Sequence, residues 1–193
     1  MISLHMLVKD EAALLPRLLA QVSPFVSEMV IVVDADSTDG TAAIARSYGA
    51  TVLVRELDHD FAAARNAGLE LVTQPWVLWL DGDELLSPEL ADWLARFIRG
   101  PRPDCDGIAI RRQNLIDNGP IGDHTYEWHV RLFKKHLRCE GRIHERINVP
   151  KERMTAAPAD CMIFHHKTQA RQQMRNEQYM EWSEQRAIVG ALA

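Results

Sequence analysis

The sequence predicts an α/β fold with a mostly parallel central sheet flanked by helices. Three observations carry that expectation. Apolar runs of strand length alternate with amphipathic stretches over roughly the first hundred residues, in the order strand, helix, strand, helix. The segment Trp76-Val77-Leu78-Trp79-Leu80 is apolar at every position, as a strand covered on both faces must be. It runs straight into Asp81-Gly82-Asp83-Glu84. Carboxylates at a strand's C-terminal end fall where open α/β sheets bind ligands.

Ile2 to Val8 is apolar enough for a buried first strand, and Lys9-Asp10-Glu11 leave it at the end where Asp81 is expected. Leu14, Leu15, Leu18, Leu19 and Val22 recur at helical spacing. Pro16 is tolerated only in a first turn, so the helix starts near Leu14. Asp10 and Glu11 then fall in an open strand-to-helix loop. Met29 to Val33 is the second strand, followed by Asp34-Ala35-Asp36-Ser37-Thr38-Asp39-Gly40-Thr41. Ser37, Thr38 and Asp39 are cap candidates for a helix to about Tyr48, with Gly49 as its stop. Capping served by Ser37 and Asp39 leaves Asp34 for a ligand. Asp34 and Asp36 as further helix caps is the plainer alternative. Thr51 to Val54 is the third strand. Asp60 caps a helix from Phe61 to Val72 that carries Arg65 and Asn66 in its early turns. Arg65 reads either as a diphosphate partner or as part of a solvated face.

Ser87 caps the next helix, with Pro88 at its first position and Gly100-Pro101 as its stop. Arg102 to Asp106 reads as a loop. Gly107 to Arg112 and Trp128 to Lys134 alternate as strands do. Between them, Asn114 to His124 holds Gly119, Pro120 and Gly122 and reads as a long mobile loop. Arg138 to Ile147 contains Gly141-Arg142-Ile143-His144-Glu145-Arg146. Asp160 to Phe164 is a last strand ending at His165-His166. Helix formers dominate from Thr168, with no breaker before Gly190, so a C-terminal helix is expected. No domain linker interrupts the chain. The expectation is one domain, 1–193, with a nucleotide-binding half to about Phe97 and a half over 98–193 that shapes a second substrate's site.

The chain has 193 residues, 47% hydrophobic and 25% charged, the range of ordinary globular proteins with a substantial core. A formal net charge of -5 excludes broad attraction to nucleic acid. Cys105, Cys139 and Cys161 are odd in number and widely spaced, which fits a reducing cytosol rather than a disulfide framework or zinc site. No apolar run approaches a membrane span. The first strand leaves no room for a signal peptide, so a cytoplasmic location is expected.

In an extended chain, Asp81 and Asp83 would point the same way, about 7 Å apart. Two hard oxygen donors with a small spacer suit Mg²⁺ or Mn²⁺ carrying phosphate oxygens. Gly82 lets the backbone turn and a ligand approach. The plain alternative is a solvated surface turn. Trp76 and Trp79 read as core, and Arg111, Arg112, Lys134 and Lys135 as facing water rather than an anionic acceptor.

Four blocks in order carry a resemblance. They are Ile2-Ser3-Leu4 with Lys9-Asp10-Glu11, then 33–41 from Val33 to Thr41, then Asp60-Phe61-Ala62-Ala63-Ala64-Arg65-Asn66, then Trp79-Leu80-Asp81-Gly82-Asp83-Glu84. Together they resemble glycosyltransferase family 2, whose members have the GT-A (nucleotide-diphospho-sugar transferase) fold. Arg131-Leu132-Phe133, Ile143-His144-Glu145 and a late His are similar to the branch that includes bacterial lipopolysaccharide core glucosyltransferases. The resemblance implies a metal-dependent inverting transfer from a nucleoside-diphosphate sugar to a glycan or lipid-linked acceptor. It also implies work at the inner face of a membrane, with peripheral contact only.

By that resemblance Asp34 binds the base or ribose, and Glu11 with its neighbours Lys9 and Asp36 lines the same pocket. Asp83 holds the metal, Asp81 the ribose or the metal, and one of His165 and His166 completes the metal shell, a surface or core histidine pair being the alternative. Neighbours on a strand face opposite ways, so only one of the two can reach it. Family members often carry Asp-Ala-Asp where this chain has Asp81-Gly82-Asp83. The proton acceptor must come from the second half: Glu145 first, with Arg142 or Arg146 keeping it ionised and His144 touching substrate, then Glu127, then Asp123. A purely structural Glu145 ion pair is the alternative. Rival functions are a nucleotide-sugar-binding module without catalysis, and a nucleotidyltransferase. The latter usually shows a Gly- and Arg-rich loop where this chain has Lys9-Asp10-Glu11.

Overall fold

The structure is a computed structural model and describes residues 1–117, 119, 120, 126–170 and 173. Its strands are β1 (Ile2–Val8), β2 (Glu28–Asp34), β3 (Thr51–Arg55), β4 (Trp76–Trp79), β5 (Glu84–Leu86), β6 (Gly107–Ile116), β7 (Gly119–Pro120), β8 (Tyr126–Lys134), β9 (Cys139–Glu140), β10 (Arg146–Ile147), β11 (Met154–Ala156) and β12 (Met162–Lys167). Its helices are α1 (Leu15–Val22), α2 (Thr41–Ser47), α3 (Phe61–Leu69) and α4 (Pro88–Arg99).

One sheet runs in the order β3-β2-β1-β4-β8-β6-β12-β5, with β7 and β11 attached to β6. The strands β3, β2, β1 and β4 are mutually parallel. Beyond β4 the sheet is mixed, because β8 is antiparallel to both β4 and β6 while β12 is parallel to β6. From β1 the chain winds outward through β2 to β3, then returns to lay β4 on β1's other side. Strand order therefore reverses between β1 and β4, and that reversal opens a crevice at their C-terminal ends.

Both faces of the parallel part are covered, as its unbroken apolar runs require. Ile2, Leu4, Met6 and Val8 pack with Leu15, Leu18 and Leu19 of α1 and Leu90 and Leu94 of α4. On the other face Val30, Val77, Trp79 and Phe133 pack with Ala62 and Leu69 of α3. Trp76 and Trp79 are buried, as read. Leu14 precedes α1, and the Ser87 hydroxyl accepts from Leu90 N–H at the start of α4. Asp60 caps α3 by accepting from Ala63 N–H at 2.8 Å.

Several boundaries differ from the sequence reading. The helix α3 stops at Leu69 rather than Val72. Gly40, not Ser37, Thr38 or Asp39, occupies the N-cap of α2. Ser37 and Asp39 before it and Thr41 after it reach across to the loop after β1: Ser37 accepts from Asp10 N–H, Asp39 from Ala12 N–H and Thr41 from Glu11 N–H, while Asp39 Oδ1 also accepts from Thr41 N–H at 2.8 Å in the first turn of α2. The expected loop at Asn114 begins as strand, because β6 continues to Ile116 and β7 pairs back onto it. The last strand starts at Met162 and carries both histidines. Asp123, and the C-terminal helix beyond residue 170 apart from residue 173, lie outside the described residues.

Candidate active site

A cleft of about 1360 Å³ opens at the C-terminal ends of β1, β2 and β4. Every candidate among the described residues except Glu127 and His166 lines it. At one end, the buried Asp34 closes β2. Lys9 Nζ lies 3.2 Å from Asp34 Oδ2 and 3.7 Å from Asp36 Oδ2. Asp36 N–H donates to Asp34 Oδ1 at 3.1 Å. Glu11 is buried rather than open, because its side chain lies against Gly82. A Cβ at residue 82 would collide with Glu11 Cγ and sit 2.9 Å from its Cδ. A larger residue there would have to displace the Glu11 side chain.

The chain does not stay extended after β4. Glu84 N–H donates to the Asp81 carbonyl at 3.2 Å, which makes a turn and sends the two aspartates apart. Asp81 accepts from Arg65 Nη2 at 2.7 Å and from Arg131 Nη2 at 3.1 Å. Asp83 Oδ1 lies 3.1 Å from His165 Nε2. Asp83 is only 3% exposed, which removes the solvated-turn alternative for it. The Trp79 indole supports the Asp81 side of the turn. Arg65 stacks 4.1 Å above its ring, and its Nε1–H donates to Asp81 Oδ1 at 3.3 Å.

Burial alone would raise the Asp81 carboxyl, but Arg131 and Arg65 overcome it and hold the group well below the usual carboxylate range. Burial pushes the neighbouring Glu84 up to about 7, against the pull of Arg131. Glu84 pairs with Arg131 and lies 3.7 Å from Arg112 Nη1. Arg112, read as facing water, therefore lines the cleft wall. Its Nη2 also donates to Glu127 at 2.6 Å. Glu127 is half exposed, lies outside the cleft lining, and is held down to about 2 by hydrogen bonds from Arg112 and His129.

Glu145 reaches the cleft because α3 anchors its loop. Asn66 exchanges two hydrogen bonds with the backbone of Cys139, and Phe61 N–H donates to the Arg142 carbonyl. The Glu145 carboxylate accepts from Arg65 Nε at 2.8 Å. The cation beside it is thus Arg65, not Arg142 or Arg146. Arg142 turns instead to Asp60 and the Asp58 carbonyl. Arg65 is buried, which removes the solvated-face reading. His144 lines the cleft with its backbone in the left-handed region, at φ 59°.

The strand pairing selects between the two late histidines. His165 is buried and faces Asp83. Burial lowers its pKa, and the adjacent Asp83 carboxylate opposes that. The His166 side chain does not line the cleft, although its N–H donates to the Asp83 carbonyl at 2.8 Å. The sequence reading assigned no role to Arg131, Glu84 or Asn114. For Arg131 a signal existed, a charged residue between Val130 and the apolar pair Leu132-Phe133. Glu84 and Asn114 carried none, since one sits in an acidic turn and the other in a stretch punctuated like a loop.

Residues 3–160 match the family model described as Glycosyl transferase family 2. The chain belongs to that family. A TPR repeat-containing protein of Synechococcus elongatus is 34% identical over 185 residues, covering 90% of this chain and 44% of that protein. A glycosyltransferase of Rickettsia bellii, described as uncharacterized, is 38% identical over 164 residues, 85% of this chain and 53% of its own length. The lipopolysaccharide core biosynthesis glycosyltransferase LpsC of Rhizobium meliloti is 29% identical over 126 residues, 61% of this chain and 47% of that one. This family 2 chain thus spans about half the length of these relatives. Among solved structures, S. aureus TarS 1–349 in complex with UDP-GlcNAc is similar with a TM-score of 0.56 at 15% identity, covering 86% of this chain and 58% of that one. The fold is GT-A, as the family motifs imply. No helix among the described residues is long and apolar enough to cross a membrane.

Proposed function

We propose that this chain is the catalytic domain of an inverting glycosyltransferase. It would move a sugar from a nucleoside-diphosphate sugar to an acceptor hydroxyl, assisted by Mn²⁺ or Mg²⁺. The observation that carries this reading is one cleft at the β1/β4 reversal holding Asp34, the Asp83–His165 pair and Glu145 together. The names of the TarS complex and of LpsC support a UDP-sugar as the first donor to test and a cell-surface glycan as the acceptor class.

Asp34 would accept hydrogen bonds from the base or ribose, with Lys9 holding its carboxylate and Glu11 and Asp36 completing that end. Asp83 and His165 fit a divalent cation: a hard oxygen and an imidazole nitrogen, both buried at the cleft wall, 3.1 Å apart. Among the described residues no group of three His, Cys, Asp or Glu is placed to hold an ion. Diphosphate oxygens and water would fill the other positions. A cation bound there would neutralise charge growing on the leaving diphosphate. Asp81 is committed to Arg65 and Arg131, so its part is to position those guanidiniums. Arg65 lines the cleft, and its charge beside Asp81 would favour a diphosphate bound there. One Glu145 oxygen is tied to Arg65, and the other would take the acceptor's proton.

The rival is a nucleotide-sugar-binding module without catalysis. Incubation with UDP-sugars and Mn²⁺ separates the two. The proposed enzyme releases UDP slowly from one of them, only with the metal. Tight metal-dependent binding with no UDP release over many hours would favour the module.

A further inference from the structure

Asn114 stands beside the proposed cation site and has been given no role so far. It lies on β6 directly across from His165 on β12, so the two side chains leave the sheet on the same face. Its Oδ1 is 2.9 Å from His165 Nδ1. An amide oxygen can only accept, so the imidazole proton belongs on Nδ1. In the neutral ring Nε2 then carries a lone pair. That lone pair faces Asp83 Oδ1 at 3.1 Å, and an ionised carboxylate oxygen also only accepts. Two acceptors are therefore held against each other inside a buried wall. The register of β12 with β6 and β5 imposes the arrangement, since it sets His165 against both Asn114 and Glu84.

We propose that Asn114 is a positioning residue that fixes His165 in the Nδ1–H tautomer and so preforms, with Asp83, a site for a divalent cation. The proposal rests on the metal reading of Asp83 and His165 given above. A cation between the two acceptors relieves their opposition, and the hydrogen bond to Asn114 raises the basicity of Nε2 towards it. Partners of this kind, behind a ligating histidine, are worth roughly 10- to 100-fold in metal affinity.

Two measurements test it, neither of them turnover. The first is ¹⁵N NMR of His165 in the metal-free protein, assigned with His165→Ala. The expected result is a neutral ring protonated on Nδ1. A ring protonated on Nε2, or on both nitrogens at neutral pH, overturns the proposal. The second is Mn²⁺ affinity, by paramagnetic resonance with Mn²⁺ alone and with added UDP. Asn114→Asp keeps an acceptor and should bind Mn²⁺ at least as well as wild type. Asn114→Leu keeps the volume, removes the acceptor, and should weaken binding roughly 10- to 100-fold. Wild-type affinity in Asn114→Leu, or equal weakening in both variants, would remove Asn114 from this role. If those outcomes accompany a large loss in His165→Ala, the metal reading stands without Asn114. Unchanged affinity in His165→Ala would instead remove the metal reading and this proposal with it. Should Asn114→Leu fail to fold, the spectrum and Asn114→Asp still decide.

Discussion

At the residue scale the two aspartates of Asp81-Gly82-Asp83 have different work, although the sequence presents them as a pair. The turn closed by Glu84 N–H separates them, and partners distant along the chain decide what each faces. That difference was not legible, because a local pattern carries no information about where Arg131 or His165 will lie. Asp81→Asn should leave two buried guanidiniums short of charge. We expect a loss of about 2–4 kcal/mol, somewhat below the roughly 3–5 kcal/mol of a fully buried pair because Asp81 is partly open, read from urea denaturation. A loss under about 0.5 kcal/mol would show that Asp81 does not hold the cluster together. The carboxylate rivals for the proton also separate here. Glu127 is held down to about 2 and lies off the cleft, so it makes a poor base. Glu145→Gln should cut transfer roughly 10²- to 10⁴-fold with UDP affinity kept, whereas Glu127→Gln should cost far less. The opposite ranking in rate assays would move the role to Glu127.

At the element scale the packing of α3 on β1 and β2 sets the position of Arg65. Gly68 makes that approach close: a Cβ there would meet the His5 ring and come within 2.7 Å of Val32 Cγ2. Gly68→Ala should cost about 1–3 kcal/mol through overpacking and displace Arg65, which calorimetry would read as weaker UDP binding. His5 beneath it is fully buried, and burial, with Arg65 second, lowers its pKa to about 3. The unfolded chain takes a proton near pH 6.5 that the folded chain refuses until about pH 3. Stability from His5 is therefore complete above pH 6.5 and is lost as pH falls, by about 1.4 kcal/mol per unit. Glu84, pushed up to about 7 in the folded chain, works the opposite way between pH 6.5 and 5, so the share of His5 is read as the change in slope between wild type and His5→Leu, about 1.4 kcal/mol per unit. An unchanged slope would contradict a buried neutral His5. The parallel strands were legible because each is an apolar run ended by polar residues. The outer half of β6 was not, since its side chains are only partly buried and Gly119-Pro120 look like loop punctuation. The cap position of α2 was misread by one residue or more, because Ser37 serves the neighbouring loop and Asp39 is shared between that loop and the Thr41 N–H that opens the helix.

At the scale of the whole molecule, one sheet carries both ends of the cleft. The parallel part supplies Lys9, Asp34 and the turn after β4, and the mixed part supplies Arg131 and His165. The convergence of the first set was foreseeable from strand ends. The second depended on β12 lying between β6 and β5, a pairing no local pattern encodes. The central claim is that this cleft takes a nucleoside diphosphate together with a divalent cation held by Asp83. Calorimetric titration of UDP into wild type and Asp83→Asn, with and without Mn²⁺, tests it most directly. Because Asp83 is buried, a thermal melt must accompany the variant, and Asn preserves its volume. The account predicts that Mn²⁺ tightens UDP binding at least tenfold in wild type, about 1.4 kcal/mol, and has no effect in a folded Asp83→Asn. UDP affinity indifferent to Mn²⁺ in wild type, or equally enhanced in the variant, would contradict it.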